Sequence, residues 1–312
     1  MNPTASVHLG RTDVTVTQLG LGCAPIGGLY EPVSETDARA VVDRAWEQGL
    51  KVFDTAPLYG SGLSERRVGA ALRERPRDEL VLSTKVGRLL RAGGQPAAMF
   101  EGAPPLEPVF DFSFDGVLRS LDESLERLGL DRVDVVYIHD PDDHFDEALA
   151  GAYPALERLR GEGVVRAIGV GMNQSEMLAR FARQTDVDCL LLAGRYTLLD
   201  TSALDELLPL CLERGIAVIA GGVFNSGVLA GNAHYDYAPA EPAVLARVSR
   251  LAEICTRWDV PLSAAAVQFP LRHPAVACVL VGCRSSVEVD EDVALFELDL
   301  PAGLWEELQA EG

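Results

Sequence analysis

Eight times along this chain a short apolar run is followed by a stretch with helical periodicity, and that alternation restricts the fold more than any other feature. The expected strands are Leu19–Cys23, Lys51–Thr55, Leu80–Lys85, Val133–His139, Val164–Val170, Cys189–Gly194, Ile216–Gly221 and Ala277–Gly282. The first helix shows the signals plainly. Ser34-x-x-Asp37 reads as a capping box, Ala38, Val41, Val42 and Ala45 share one face, and Gly49 stops it. Leu118, Leu121, Leu125 and Leu128 mark another helix face ahead of Gly129, and Leu204, Leu207, Leu208 and Cys211 a third ahead of Gly215. Strands that alternate with helices make a parallel sheet. Eight units with no Pro- or Ser-rich linker favour closure over an open sheet of that width. The expectation is a single-domain α/β protein, a (β/α)₈ TIM barrel over residues 1–312.

One segment breaks the rhythm. Residues 86–114 contain Gly93, Gly94, Pro96, Pro104, Pro105 and Pro108, which forbid a continuous helix. So long a loop inside a compact domain is usually functional. Its Phe100, Phe110 and Phe112 suggest an ordered lid over the mouth.

Composition excludes several functions. A net charge of -20 repels phosphate backbones, so nucleic acid is not an expected partner. No apolar run reaches the length of a membrane span, and the N-terminal residues lack the apolar centre of a signal peptide. The six cysteines lie singly in apolar segments without metal-ligand spacing. A soluble cytoplasmic protein with a small-molecule substrate is expected; the sequence leaves its oligomeric state open.

In a barrel of this kind the active site forms at the C-terminal ends of the strands. There the second strand ends in Asp54, the third in Lys85 and the fourth in His139, and Tyr59 lies in the loop after Asp54. Each alone has an ordinary explanation, as a turn former, a cap or a solvated strand end. His139-Asp-Pro-Asp-Asp-His144 offers the residue types of a weak metal site, but the spacing is wrong and no metal is expected. Four such groups converging on one mouth are hard to explain by packing, because burying charge is costly. Together they make chemical sense. A phenol near an ammonium is expected to have its pKa lowered, Asp54 would hold Lys85 charged, and His139 would orient a substrate oxygen. No protein group accepts a hydride, so such a proton-transfer site implies a nicotinamide cofactor.

These residues stand in motifs that run nearly end to end. They are Phe53-Asp54-Thr-Ala-Pro-Leu-Tyr59-Gly with Ser64-Glu65, Ser83-Thr-Lys85, Ser120-Leu through Arg127-Leu-Gly129, Asp134-Val-Val-Tyr-Ile-His139 and Ile168-Gly-Val-Gly-Met-Asn173. In them the sequence resembles the aldo-keto reductase family. The resemblance implies Tyr59 as general acid/base, Asp54 and Lys85 as its tuning pair and His139 as substrate orienter. It implies that Asn173 holds the nicotinamide carboxamide. The rest of the implied cofactor set is Gly22, then Gly222, Val223, Phe224, Asn225, Ser226 and Gly227 after strand seven, then Gly282, Arg284, Glu288 and Asp292 after strand eight. Tyr30, His144, Phe112 and Trp305 are the expected substrate contacts.

The chain departs from the family pattern at Met172, where many members have Ser, and at Ala193, where many have Gln. It also departs at Gly221 and Gly222, where many carry an aromatic that stacks on the nicotinamide; Tyr196 or Phe224 is the expected replacement. These departures are similar to a branch that oxidises aldoses (L-fucose or D-threo-aldose) or pyridoxal, as cyclic hemiacetals, to lactones. Glu288 stands where some NADPH-preferring members have Arg, so NAD is the expected cofactor over NADP. The alternatives are an NADPH-dependent carbonyl reductase of small aldehydes, a cofactor-binding regulatory subunit without catalysis, and a metal-dependent barrel hydrolase.

Overall fold

A computed structural model describes residues 1–311. Its centre is a closed barrel of eight strands. They are β1 (Leu19–Gly22), β2 (Val52–Asp54), β3 (Val81–Val86), β4 (Val135–His139), β5 (Ala167–Met172), β6 (Cys189–Ala193), β7 (Ala217–Gly221) and β8 (Val276–Val281). Each pairs in parallel with its sequence neighbour, and β8 pairs with β1 to close the ring. All eight expected strands are present. β5 begins three residues later than expected, because Val164 bonds back to Leu159 at the end of the preceding helix.

The period of two along each strand divides the core. Val52, Val81, Val135, Tyr137, Leu191 and Ile219 point into the barrel. Phe53, Leu82, Val136, Ile138, Leu190 and Val218 point outward against the helices. An antiparallel hairpin, Ser6–His8 with Thr15–Thr17, adds Leu9, Val14 and Val16 to the inner cluster and so plugs one end. The other end is left for chemistry.

The helices follow their sequence signals. Ser34 caps helix Glu35–Glu47, accepting from the Asp37 N–H at 3.1 Å, and Ser113 caps Phe114–Leu128 in the same way. Of the leucine face on that second helix, Leu121 and Leu128 are buried and Leu118 and Leu125 pack at its margin. Helix Leu63–Leu72 crosses it so closely that a Cβ on Gly69 would lie 1.8 Å from the Leu128 carbonyl oxygen.

The proline-rich segment carries no helix, as expected, but neither is it irregular. Arg88–Ala92 pairs antiparallel with Leu106–Phe110, with Arg88 opposite Phe110, forming a ribbon after β3. A second small hairpin after β7, His234–Tyr235 with Ala238–Pro239, has no clear signal in the sequence.

Candidate active site

Strand parity places the site. Val52, Val81 and Val135 face inward, so Asp54, Lys85 and His139, at even spacings beyond them, face inward too at the strand ends. All three are buried. The Lys85 ammonium donates to Asp54 Oδ2 at 2.6 Å and to the Thr55 carbonyl at 3.0 Å, and the Ser83 hydroxyl donates to Asp54 Oδ1 at 2.6 Å. The buried pair is thus hydrogen-bonded on both sides, which a desolvated charge pair requires.

Two glycines bring Tyr59 onto this pair. A Cβ on Gly60, whose φ is +61°, would lie 2.1 Å from the Gly27 carbonyl oxygen, and one on Gly27 would lie 2.9 Å from the Tyr59 carbonyl carbon. Only glycine at both positions lets the loop after β2 lie directly on the turn after β1. The Tyr59 ring then sits with its centroid 4.5 Å from Lys85 Nζ, 5.8 Å from the His139 ring and 6.0 Å from the Phe100 ring. Behind the loop, the Ser64 hydroxyl donates to the Cys23 carbonyl at 2.7 Å. Glu65, fully buried, accepts from Thr84 Oγ1 at 2.8 Å and Arg127 Nε at 2.5 Å. The Ser64-Glu65 and Arg127 motif residues therefore brace the loop that carries Tyr59 and do not reach the mouth.

The electrostatics correct one expectation. Burial pushes the Tyr59 phenol above its ordinary value; Lys85 pulls it down, but the Asp54 carboxylate opposes that pull. In this form Tyr59 is a phenol, an acid by default. Burial works against the Lys85 charge, yet Asp54 and Tyr59 outweigh it and hold the ammonium above its usual range. Burial, with Arg88 and Lys85 nearby, holds His139 well below the usual imidazole range and hence neutral.

The ribbon after β3 forms one wall. Phe110 is 43% exposed, with the Arg88 guanidinium 4.3 Å over its ring and the His144 ring 4.8 Å away. Phe112 does not line this wall. It is buried behind it, against Gly87 and His144, and supports it. Trp305 is not brought to the mouth either. It packs in the outer core under Arg272, which precedes β8, and so belongs to the entry of that strand. Tyr196 is also turned inward, 5.0 Å from Phe269, and offers no face to a cofactor.

Tyr30, at the edge of the mouth, stacks on His234 at 6.2 Å. Between them, with Glu31, Met99, Asn232 and Arg284, lies a cleft of about 350 Å³. Asn173 Nδ2 donates to the Ala193 carbonyl at 3.1 Å. In the turn after β7, Val223 is buried and Phe224 packs on the core, while Asn225 and Ser226 hold positive φ between Gly222 and Gly227. Gly282 is needed for packing, since a Cβ there would meet Pro25 at 2.8 Å. At Gly22 and Gly221 an added Cβ would make only ordinary contacts, at 3.5 Å and 3.6 Å, so packing alone does not demand glycine there. Arg284 Nε and Asn225 Oδ1 are buried without a partner among the described residues. Orphaned polar atoms on Asn225 and Arg284 beside the strand ends fit a polar ligand lying across the turn after β7 toward Arg284.

After β8, Ser285 caps helix Ser286–Glu297, and Glu288 turns back to accept from the Arg284 N–H at 2.7 Å. Asp292 accepts from Cys283 at 3.4 Å, and burial with Glu288 and Glu291 nearby raises its carboxyl to about 7.

Arg88, Asp140, Arg195 and Tyr237 reach this mouth although none is among the site residues expected from the sequence. Arg195 grips Asp236 at 2.9 and 3.1 Å, which folds the second hairpin over the mouth so that Tyr237 faces the Asn173 carboxamide. Arg88 and Asp140, 2.9 Å apart, stand beside His139. Asp140 follows His139 directly and Arg88 lies three residues past Lys85, so adjacency to strand ends is the one signal the sequence holds for them.

Comparison with known proteins agrees with this geometry. The Aldo/keto reductase family profile matches residues 18–310. The chain is 44% identical to a pyridoxal 4-dehydrogenase from Microbacterium luteolum, over 97% of this chain and 96% of the relative. It is also 44% identical to a D-threo-aldose 1-dehydrogenase from a Pseudomonas species, over 95% and 94%. The holo form of an aldo-keto reductase from Bacillus halodurans superposes with a TM-score of 0.80 at 28% identity, covering 99% of this chain and 96% of that one.

Proposed function

The chain belongs to the aldo-keto reductase family, and from that premise we propose that it oxidises the C1 hydroxyl of an aldose, or the hemiacetal hydroxyl of a similar ring such as pyridoxal, to a lactone. The observation that carries the reading is the Asp54–Lys85–Tyr59–His139 cluster, buried at the strand ends of the barrel. Two relatives at 44% identity, named a pyridoxal 4-dehydrogenase and a D-threo-aldose 1-dehydrogenase, support the substrate class.

The chain's own groups divide the work. A bound nicotinamide supplies the hydride acceptor. Tyr59 receives the hydroxyl proton, Lys85 stabilises the phenolate that this needs while Asp54 holds Lys85 charged and in place, and neutral His139 donates to the substrate oxygen. Asn173 and the turn from Gly222 to Gly227 would hold the nicotinamide end, and Arg284 the phosphates. The wall of Phe110, Arg88 and His144 would face the substrate ring. The six cysteines are free and buried, which fits a reducing setting such as the cytoplasm. No described helix is long and apolar enough to cross a membrane.

Glu288 supports NAD over NADP in this reading. Its carboxylate already accepts from a backbone N–H beside the helix start, where a 2′-phosphate would need positive charge. We therefore expect kcat/KM with NAD⁺ to exceed that with NADP⁺ across a panel of aldoses and pyridoxal, followed by the absorbance of the reduced cofactor. A tenfold preference for NADP⁺, or aldehyde reduction with no hemiacetal oxidation, would contradict the reading.

The raised Tyr59 phenol sets a pH dependence. Oxidation needs the deprotonated oxygen, so its kcat/KM should climb with pH toward the alkaline side. Reduction needs the protonated phenol and should hold level through neutrality and fall only at high pH. Profiles in both directions check this; an oxidation rate that declines above neutrality would count against Tyr59 as the base.

A further inference from the structure

We propose that Arg88 and Asp140 form a positioning pair that biases the proton of His139 toward Nε2. A neutral imidazole has one N–H and one bare nitrogen, and the partner of each nitrogen decides which is which. His139 Nε2 lies 3.4 Å from Asp140 Oδ2. Nδ1 is buried and has no partner among the described residues. A buried N–H without an acceptor is the costlier orphan, and a bare lone pair the cheaper one. Both facts favour the hydrogen on Nε2.

A carboxylate beside a histidine ordinarily draws a second proton onto the ring. Here Arg88 Nη2 donates to the same Asp140 Oδ2 at 2.9 Å and offsets that pull. Lys85 and the edge-on Tyr59 ring complete the ring's charged and titratable surroundings. Asp140 therefore favours one tautomer without charging the ring. Its backbone shows that this placement is imposed: φ is +43°, a region a non-glycine residue rarely enters, while its N–H donates to the Gly171 carbonyl at 3.0 Å. Arg88 is placed just as firmly. It opens the ribbon after β3 opposite Phe110, and its guanidinium lies over that ring.

The functional meaning rests on the substrate-orienting role proposed for His139. At 3.4 Å the contact to Asp140 is long, so the Nε2 hydrogen remains available to a substrate oxygen. The pair thus presents a donor at the mouth while the ribbon that carries Arg88 walls the pocket. Arg88 links the position of that ribbon to the state of the histidine.

The test is nitrogen NMR of the ring, in protein labelled at histidine and assigned with a His139→Gln variant, alongside pH profiles of kcat/KM. In the unsubstituted enzyme the Nε2–H form is expected, without protonation through neutrality. Arg88→Met should leave Asp140 uncompensated, raise the pH at which His139 protonates, and bring that ionisation into the kcat/KM profile. Arg88→Lys should restore most of the original behaviour. Asp140→Asn should weaken the preference for the Nε2–H form and lower kcat/KM on the order of 10-fold, the low end of what partners of metal-bound histidines contribute. An Nδ1–H tautomer in the unsubstituted protein would overturn the proposal. So would a His139 titration that Arg88→Met leaves unmoved in a protein with native circular dichroism. The ring spectra need no substrate, so a failed substrate assignment and a failed tautomer assignment give different results.

Discussion

Tyr59→Phe is expected to lower kcat by about 10²–10⁴-fold in both directions, the usual worth of a positioned acid/base group. The substitution removes one oxygen and keeps the ring. The contacts of that ring with Phe100 and His139 remain, and so does the Gly27–Gly60 approach that places the loop. Stability and cofactor affinity should therefore change little. Steady-state kinetics paired with a fluorescence titration of NADH separate the two effects. Turnover above a tenth of the original with intact cofactor binding would remove Tyr59 from the mechanism.

Lys85→Met is expected to abolish measurable turnover and to destabilise the fold by about 3–5 kcal/mol, as removal of one partner from a buried ion pair generally does. The reason lies in what is left behind. Asp54 keeps the Ser83 hydroxyl on one oxygen, but the other, in a buried site, loses the one charged donor it has among the described residues. Asp54→Asn added to Lys85→Met removes the stranded charge, so the double variant should regain part of the stability and none of the activity. Urea denaturation and kcat measured on the single and double variants check both halves. Equal stability of the Lys85→Met variant and the original would show that Asp54 and Lys85 are not one buried unit.

The parts of the site set by local periodicity are legible in the sequence. Asp54, Lys85 and His139 face one mouth because strands alternate sides and barrels work at one end, two rules that need only the strand positions. Tyr59 is legible because the loop that carries it is short. The corrected expectations share a physical origin. Phe112 and Trp305 read as pocket walls because a bulky aromatic near a functional segment has no local signature that distinguishes lining from support. The sign of the Tyr59 shift escapes the sequence because Lys85 is visible there and burial is not. Arg88, Asp140, Arg195 and Tyr237 reach the mouth through ribbons and tight turns, and tertiary packing decides where those turns point.

In the proposed reaction this mouth removes hydrogen from C1 of a hemiacetal, with the hydroxyl proton going to Tyr59. The most direct measurement uses an aldose with deuterium at C1, incubated with the enzyme and NAD⁺, with both products followed by mass spectrometry. The expected result is deuterium in the reduced nicotinamide and an unlabelled lactone, with both products formed about 10²–10⁴-fold more slowly by Tyr59→Phe. Deuterium released to water, or retained on the sugar while aldehydes are reduced at the same site, would contradict it.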